Sequence, residues 1–364
     1  MKVILASPKA NVTGGIARWS GHVLNYYASL DIKDGIELYH FDSARSKQVS
    51  DIDLIRVFQA FTDLPVFIKS LNKFLKCQTA DVLHFTSSAS LGLLRDLLTI
   101  RMAKRRGIKT VIHFRFGRTP ELVNRNNWEW KLMRKVLNKV DKAIFIDKKS
   151  FESVNNSGFQ NIELLPNPIA PSVSAILDKI GKQIRVQSRI LFVGHCTQKK
   201  GVIELVEACE NKPDLEITFI GNVIDGLEEW VAAKTKSNNN IHFVGEKPYE
   251  DIIKAMSTCS VFVLPSYTEG FPNVILEAMA CGCAIVSTTV GAIPEMLEED
   301  EKGRYGLLVA PQNVEELRQA IELMLYDESL REECQKNVKE RVNNRYSMPM
   351  VWQRMTDIWR SVLC

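Results

Sequence analysis

Two carboxylates eight positions apart, Glu269 and Glu277, stand in the segment PSYTEGFPNVILEAMACG that runs from Pro265 to Gly282. Proline suits the first turn of a helix, where its missing amide is not needed. The segment therefore reads as a loop that enters a helix through Gly270, Phe271 and Pro272 and leaves it at Gly282. Amides from Phe271 to Val274 would point outward, and the positive end of a helix favours an anion. Asn273 and Glu277, four apart, share one helix face, while Val274, Ala278 and Cys281 can pack inward. Glu277 falls about a turn and a half below the anion, where a carboxylate can accept both hydroxyls of a ribose. Glu269, in the loop ahead, can face a sugar on the far side of a diphosphate. Either glutamate alone would read as a solvated surface group, but the pair around Gly270-Phe271-Pro272 is far more specific.

Two other segments put glycine between a strand and a helix. In SPKANVTGGIAR, Gly14 and Gly15 let backbone approach a ligand at a helix start, which makes a phosphate-facing loop, although a tight turn is the commoner reason for a lone Gly-Gly. In FVGHCTQKKG, Gly194 and His195 follow a strand, and Lys200, with Lys199 in reserve, can reach the oxygens of a departing phosphate and offset their charge. Neither segment is a GxGxxG or a P-loop, which argues against a nicotinamide or ATP enzyme. His84 and His113 each end an apolar strand, a place where histidine is often a hydrogen-bonded core residue.

These segments hang on a regular alternation of elements. Candidate strands are Lys2–Ala6, Ile36–Phe41, Val82–Phe85, Lys109–Phe114, Lys142–Ile146 and Ile162–Leu165, with amphipathic stretches such as Trp19–Leu30 and Trp128–Asn138 between them. Their hydrophobicity is continuous rather than alternating, which predicts parallel sheets covered on both faces. The proline cluster PNPIAPS after Leu165 breaks the rhythm and marks a linker. A second series follows: Arg189–Val193, Glu216–Ile220, Asn240–Val244, Val261–Leu264, Ala284–Ser287 and Gly306–Val309. The prediction is an α/β chain of two doubly wound, Rossmann-like domains, residues 1–168 and 169–347, with ligands at the carboxyl ends of the strands. A helix over 348–364, with Val351, Met355, Ile358, Trp359 and Val362 at helical spacing, is expected to cross back onto the first domain.

The 364 residues are 45% apolar and 25% charged, an ordinary globular composition, and no apolar run is long enough to span a bilayer. The N-terminal MKVILASPKA reads as a first strand rather than a leader, so a cytoplasmic protein is expected. Eight scattered cysteines show no metal-ligand spacing and are expected to be reduced and mostly buried. Net charge is only +4, yet residues 1–170 hold 26 Lys/Arg against 15 Asp/Glu and residues 171–364 hold 21 against 28. The first part is basic enough to attract phosphates or an acidic lipid surface. Nucleic acid is not expected, because this region lacks the interleaved aromatics of a stacking platform.

In these motifs, over nearly its whole length and in the same order, the chain resembles the retaining, group 1 (family 4 type) glycosyltransferases with a GT-B fold, two Rossmann-like domains facing across a cleft. Glu269 and Glu277 match the E-x7-E signature, Gly14-Gly15 the N-terminal loop, Lys200-Gly201 the second-domain phosphate-binding lysine, Pro166-Asn167-Pro168 the linker, and His113 the histidine near the donor sugar. The resemblance implies transfer of a sugar from a nucleoside diphosphate sugar, UDP-linked for preference, to a hydroxyl of a glycan or lipid-linked acceptor in cell-surface polysaccharide synthesis. It implies an acceptor-binding first domain, a donor-binding second domain, a cytoplasmic or peripheral membrane location, and no cofactor or metal. His113, Lys200 and Glu269 would be catalytic. Gly14, Gly15, Gly194, His195, Lys200, Gly270, Phe271, Pro272, Asn273, Val274 and Glu277 would bind the donor. One position departs from the pattern: the family has Arg after the glycine matching Gly194, where this chain has His195, which would make a weaker and pH-dependent diphosphate clamp. Alternatives on the same fold are a non-hydrolysing nucleotide-sugar epimerase and a weakly active partner subunit.

Overall fold

The computed structural model describes residues 1–9, 15–44, 53–210, 212, 214–224, 226–237 and 240–364, and the side chains of all these except 53–61, 235 and 237. Gly14 lies outside the described residues. The chain divides into two compact units, Met1–Asn167 with Met348–Cys364, and Pro168–Ser347.

In the first unit, strands β1 (Lys2–Ser7), β2 (Glu37–Asp42), β3 (Val82–Ser87), β4 (Lys109–Phe114), β5 (Lys142–Phe145) and β6 (Ile162–Leu164) alternate with helices α1 (Gly15–Ser29), α2 (Asp53–Cys77), α3 (Gly92–Lys104), α4 (Thr119–Arg125), α5 (Trp128–Leu137) and α6 (Lys148–Asn155). The sheet is six-stranded, in the order β2-β1-β3-β4-β5-β6, and its described pairings are parallel. All six residues of β3 are buried, because helices cover both faces and leave no solvent side. One face packs around Leu83, Ile112, Phe114 and Phe145 under α2, α3 and α5.

The second unit repeats the plan with β7 (Val186–Val193), β8 (Glu216–Ile220), β9 (Ile241–Phe243), β10 (Cys259–Leu264), β11 (Ala284–Thr288) and β12 (Leu307–Val309), and helices α7 (Pro171–Ile180), α8 (Val202–Cys209), α9 (Glu228–Ser237), α10 (Tyr249–Thr258), α11 (Asn273–Ala280), α12 (Ile293–Leu297), α13 (Val314–Tyr326) and α14 (Glu328–Arg345). Its order is β12-β11-β10-β7-β8-β9. The chain thus builds outward from β7 in one direction, returns, and builds outward from β10 in the other. The reversal opens a crevice between the carboxyl ends of β7 and β10.

A last helix, α15 (Met348–Ser361), belongs to the first unit. Its Val351, Trp352, Met355, Ile358 and Trp359 join Val3, Leu5, Trp19, Val82 and Val111 in the core on the other face of that sheet. Each such side chain contributes on the order of 2 kcal/mol by leaving water. Among the described residues no helix is long and apolar enough to cross a membrane. Six cysteines are buried, Cys77 and Cys364 are exposed, and all eight are free.

Candidate functional site

The crevice of the second unit is built from three loops. After β7, Gly194 and the exposed His195 lead into a 3-10 turn, Gln198–Lys200, which ends on Gly201 with φ +72°. A side chain at Gly201 would collide with the Pro265 carbonyl, so only glycine lets the first loop lie against the one that follows β10. The two loops are also joined by the Tyr267 amide, which donates to the Lys199 carbonyl at 2.9 Å. From below, the Thr288 hydroxyl of β11 donates to the Ser266 carbonyl at 2.6 Å. From behind, the Ala292 amide donates to the Gly270 carbonyl at 2.9 Å. That last approach needs Gly291, with φ +55°, whose Cβ would meet the Glu269 and Gly270 carbonyls.

The result is that Lys200 and Glu269, 69 positions apart, form an ion pair with Nζ 2.6 Å from Oε1. Ser266 donates its hydroxyl to the same oxygen at 2.7 Å. Glu269 keeps 10% of its side chain exposed and Lys200 32%, so the lysine is held by its carboxylate and still open to solvent. An ammonium has three donors, and this one can meet phosphate oxygens without leaving Glu269.

Two positions after Glu269, Phe271 is buried and meets Tyr346 edge-on at 5.9 Å. Pro272 is the N-cap of α11 rather than its first residue, a shift of one position. First-turn amides of a helix have no intrahelical carbonyl to donate to, and no acidic side chain stands in the first turn of α11 to offset its positive end. Asn273 and Glu277 are half-buried on the same face. Val274, expected to face inward, is half-buried as well; Ile275, Leu276, Ala278 and Met279 make the buried face. One Glu277 oxygen accepts from the Tyr249 hydroxyl at 3.0 Å, which orients the carboxylate. Ser266, Tyr249 and Gly291 carry no sequence pattern that would have singled them out, apart from the Gly-Ala-Ile-Pro helix start after β11.

The remaining candidates lie in the first unit. Gly15 is exposed and opens α1. His113 is on β4 with no exposed surface; its Nε2 lies 3.3 Å from Nη1 of Arg115, and its ring meets Trp19 edge-on at 5.1 Å and stacks with His84 at 5.5 Å. Burial first, then the charge of Arg115, holds His113 well below the usual imidazole range. His84 has the structural place expected of it: its Nδ1 accepts from Trp359 Nε1 at 2.9 Å. Among the described residues no group of three or more His, Cys, Asp or Glu side chains converges.

Residues 179–341 match the family model described as glycosyl transferases group 1. Over 355 residues, 91% of this chain and 88% of the other, the sequence is 25% identical to the capsular polysaccharide biosynthesis glycosyltransferase CapM of Staphylococcus aureus. It is 28% identical over 255 residues, 64% of this chain and 65% of the other, to a Campylobacter jejuni N,N'-diacetylbacillosaminyl-diphospho-undecaprenol alpha-1,3-N-acetylgalactosaminyltransferase. Several further relatives are matched over about half of their length or less. Among solved structures, the Anabaena protein HepE in complex with UDP superposes with a TM-score of 0.71 at 16% identity, covering 99% of this chain and 100% of that one. That likeness is one of fold.

Proposed function

We propose that the chain, whose residues 179–341 match the group 1 glycosyltransferase model, moves a sugar from a nucleoside diphosphate sugar, UDP-linked for preference, to a hydroxyl of a lipid-linked or glycan acceptor with retention at the anomeric carbon. One observation carries the reading: Lys200, paired with Glu269 at the mouth of the β7–β10 crevice, stands beside a helix whose start is electropositive and which bears Glu277 further along. A diphosphate needs cationic and amide donors, and a ribose needs a paired acceptor. This arrangement offers both in that order along one surface. The UDP bound in the HepE structure supports the choice of base, and the diphospho-undecaprenol in the name of the C. jejuni relative supports a lipid-linked acceptor.

In the proposed reaction the acceptor hydroxyl oxygen bonds to the anomeric carbon on the face that the diphosphate leaves. The carbon–oxygen bond to the diphosphate breaks, and the hydroxyl proton passes to the departing diphosphate oxygen. Lys200 and the start of α11 stabilise the charge that grows there. Gly194, His195 and Gly270 line the diphosphate with backbone, and Glu269 fixes Lys200 and borders the sugar. No cofactor or metal has a part in this scheme.

A membrane surface as the place of the acceptor is supported by the basic first unit. Leu94 and Leu98 of α3 and Trp128 of α5 are exposed among exposed Arg101, Arg105, Lys131 and Lys135, the mixture that settles on acidic lipid.

The test is Lys200→Ala. Its turnover with a UDP-sugar and a lipid-linked acceptor should fall about 100-fold, with a much smaller change in UDP affinity by calorimetry. Equal turnover for variant and parent would remove the lysine from the reaction.

A further inference from the structure

Alternation along β4 puts His113 and the residue two further on, Arg115, on one side of the sheet. The guanidinium of Arg115 lies over the Trp19 ring, its carbon 4.5 Å from the ring centre. A guanidinium only donates, so His113 Nε2, 3.3 Å from Nη1, is an acceptor, and the neutral ring carries its hydrogen on Nδ1. His84 is held neutral too, its pKa pushed down to about 3 chiefly by burial. Its Nδ1 is taken up by Trp359, which leaves the hydrogen on Nε2. Trp19 Nε1, His84 Nε2 and His113 Nδ1 are all buried without a partner. Among the described residues, the surroundings of Arg115 therefore hold donors in excess and no negative charge.

Several other basic groups of this unit are compensated. Arg118 meets Glu129 at 2.5 Å, Lys142 meets Glu163 at 3.1 Å, Lys104 meets Asp141 at 3.6 Å and Arg95 meets Asp96 at 3.7 Å. Among the described residues no carboxylate pairs with Arg115. Burial lowers it to about 9, which still leaves it charged at neutral pH. Arg18 adds positive charge on α1, next in sequence to the Trp19 that lies under Arg115, and after burial both guanidiniums depress His22. Arg115 is half-buried; a partly desolvated, unpaired charge weakens a fold, and an arriving anion offsets that cost. The position suits one. Arg115 extends β4 at its carboxyl end, where its amide donates to the Ser87 carbonyl at 2.9 Å. The reversal of strand order in this sheet falls next door, between β1 and β3.

We propose that Arg115, with Arg18 of the adjoining helix α1, forms a phosphate-binding site in the first unit that takes the phosphate or diphosphate group of a substrate. The site stands on the geometry of this unit, whereas the identification of its phosphate with a substrate's rests on the transfer reading. Inorganic pyrophosphate, titrated by calorimetry into the full chain in a Lys200→Gln background, reads the site without any turnover. Arg115→Gln should weaken pyrophosphate about tenfold or more and leave the unliganded melting temperature unchanged or higher, since it removes an unpaired charge. The exposed Arg18→Gln, which keeps the core intact, should weaken it about threefold. Unchanged pyrophosphate affinity in both variants overturns the site. Repeating the titration with UDP and with a short-chain prenyl diphosphate-linked sugar assigns the phosphate to donor or acceptor by which one loses affinity. Loss with neither overturns the substrate assignment.

Discussion

At the scale of single residues, Lys200 and Glu269 are preorganised for each other before any substrate arrives. The carboxylate fixes where the ammonium sits. Glu277 stands apart from this pair and is held by Tyr249. If it accepts ribose hydroxyls, Glu277→Ala should weaken UDP binding by roughly 10- to 100-fold, the size of losing charged hydrogen bonds. The melting temperature should move little, because the side chain is only half-buried. A calorimetric titration checks this, and an unchanged UDP affinity would take the ribose role from Glu277.

At the scale of elements, the site depends on backbone surfaces that touch. Gly201 and Gly291 let three loops close on one another, and the amides of Tyr267 and Ala292 tie them together. Gly201→Ala places a methyl group against the Pro265 carbonyl in a left-handed conformation. It should cost roughly 2 kcal/mol or more of stability and displace Lys200 from Glu269. Denaturant unfolding together with UDP titration would show both losses; parent-like values for both would mean that the loops tolerate separation. Both glycines are plain in the sequence, but the contact that requires them is not. Positive φ and a facing carbonyl are properties of two segments brought together by the sheet.

At the scale of the whole molecule, the chain leaves the first unit, builds the second and returns through α15, whose Trp359 donates to His84 across 275 positions. That closure carries a pH dependence. Burial lowers His84 from 6.5 to about 3, so as pH falls below 6.5 the unfolded chain takes up a proton that the folded one refuses. Stability is therefore full above that pH and declines toward pH 3, by up to about 1.4 kcal/mol per pH unit for this group. His84→Gln keeps an acceptor for Trp359 and removes the proton. Its melting temperature should fall less steeply than the parent's between pH 6 and 4, and an identical slope would show that His84 does not govern the acid side.

The twelve described strands and the doubly wound class were legible in the residue order, because backbone hydrogen bonding imposes a local period and burial on both faces leaves continuous apolar runs. So were the loop-to-helix segment with Glu269 and Glu277, and the strand-to-loop segment with Lys200. Which side chains meet was decided only by tertiary structure. Strand order puts β7 beside β10 and so joins Lys200 to Glu269 across 69 positions, and the packing of α1, β3, β4 and α15 leaves Arg115 without a carboxylate among the described residues. Local pattern fixes elements, but ion pairing depends on distances that arise only when the sheet has assembled.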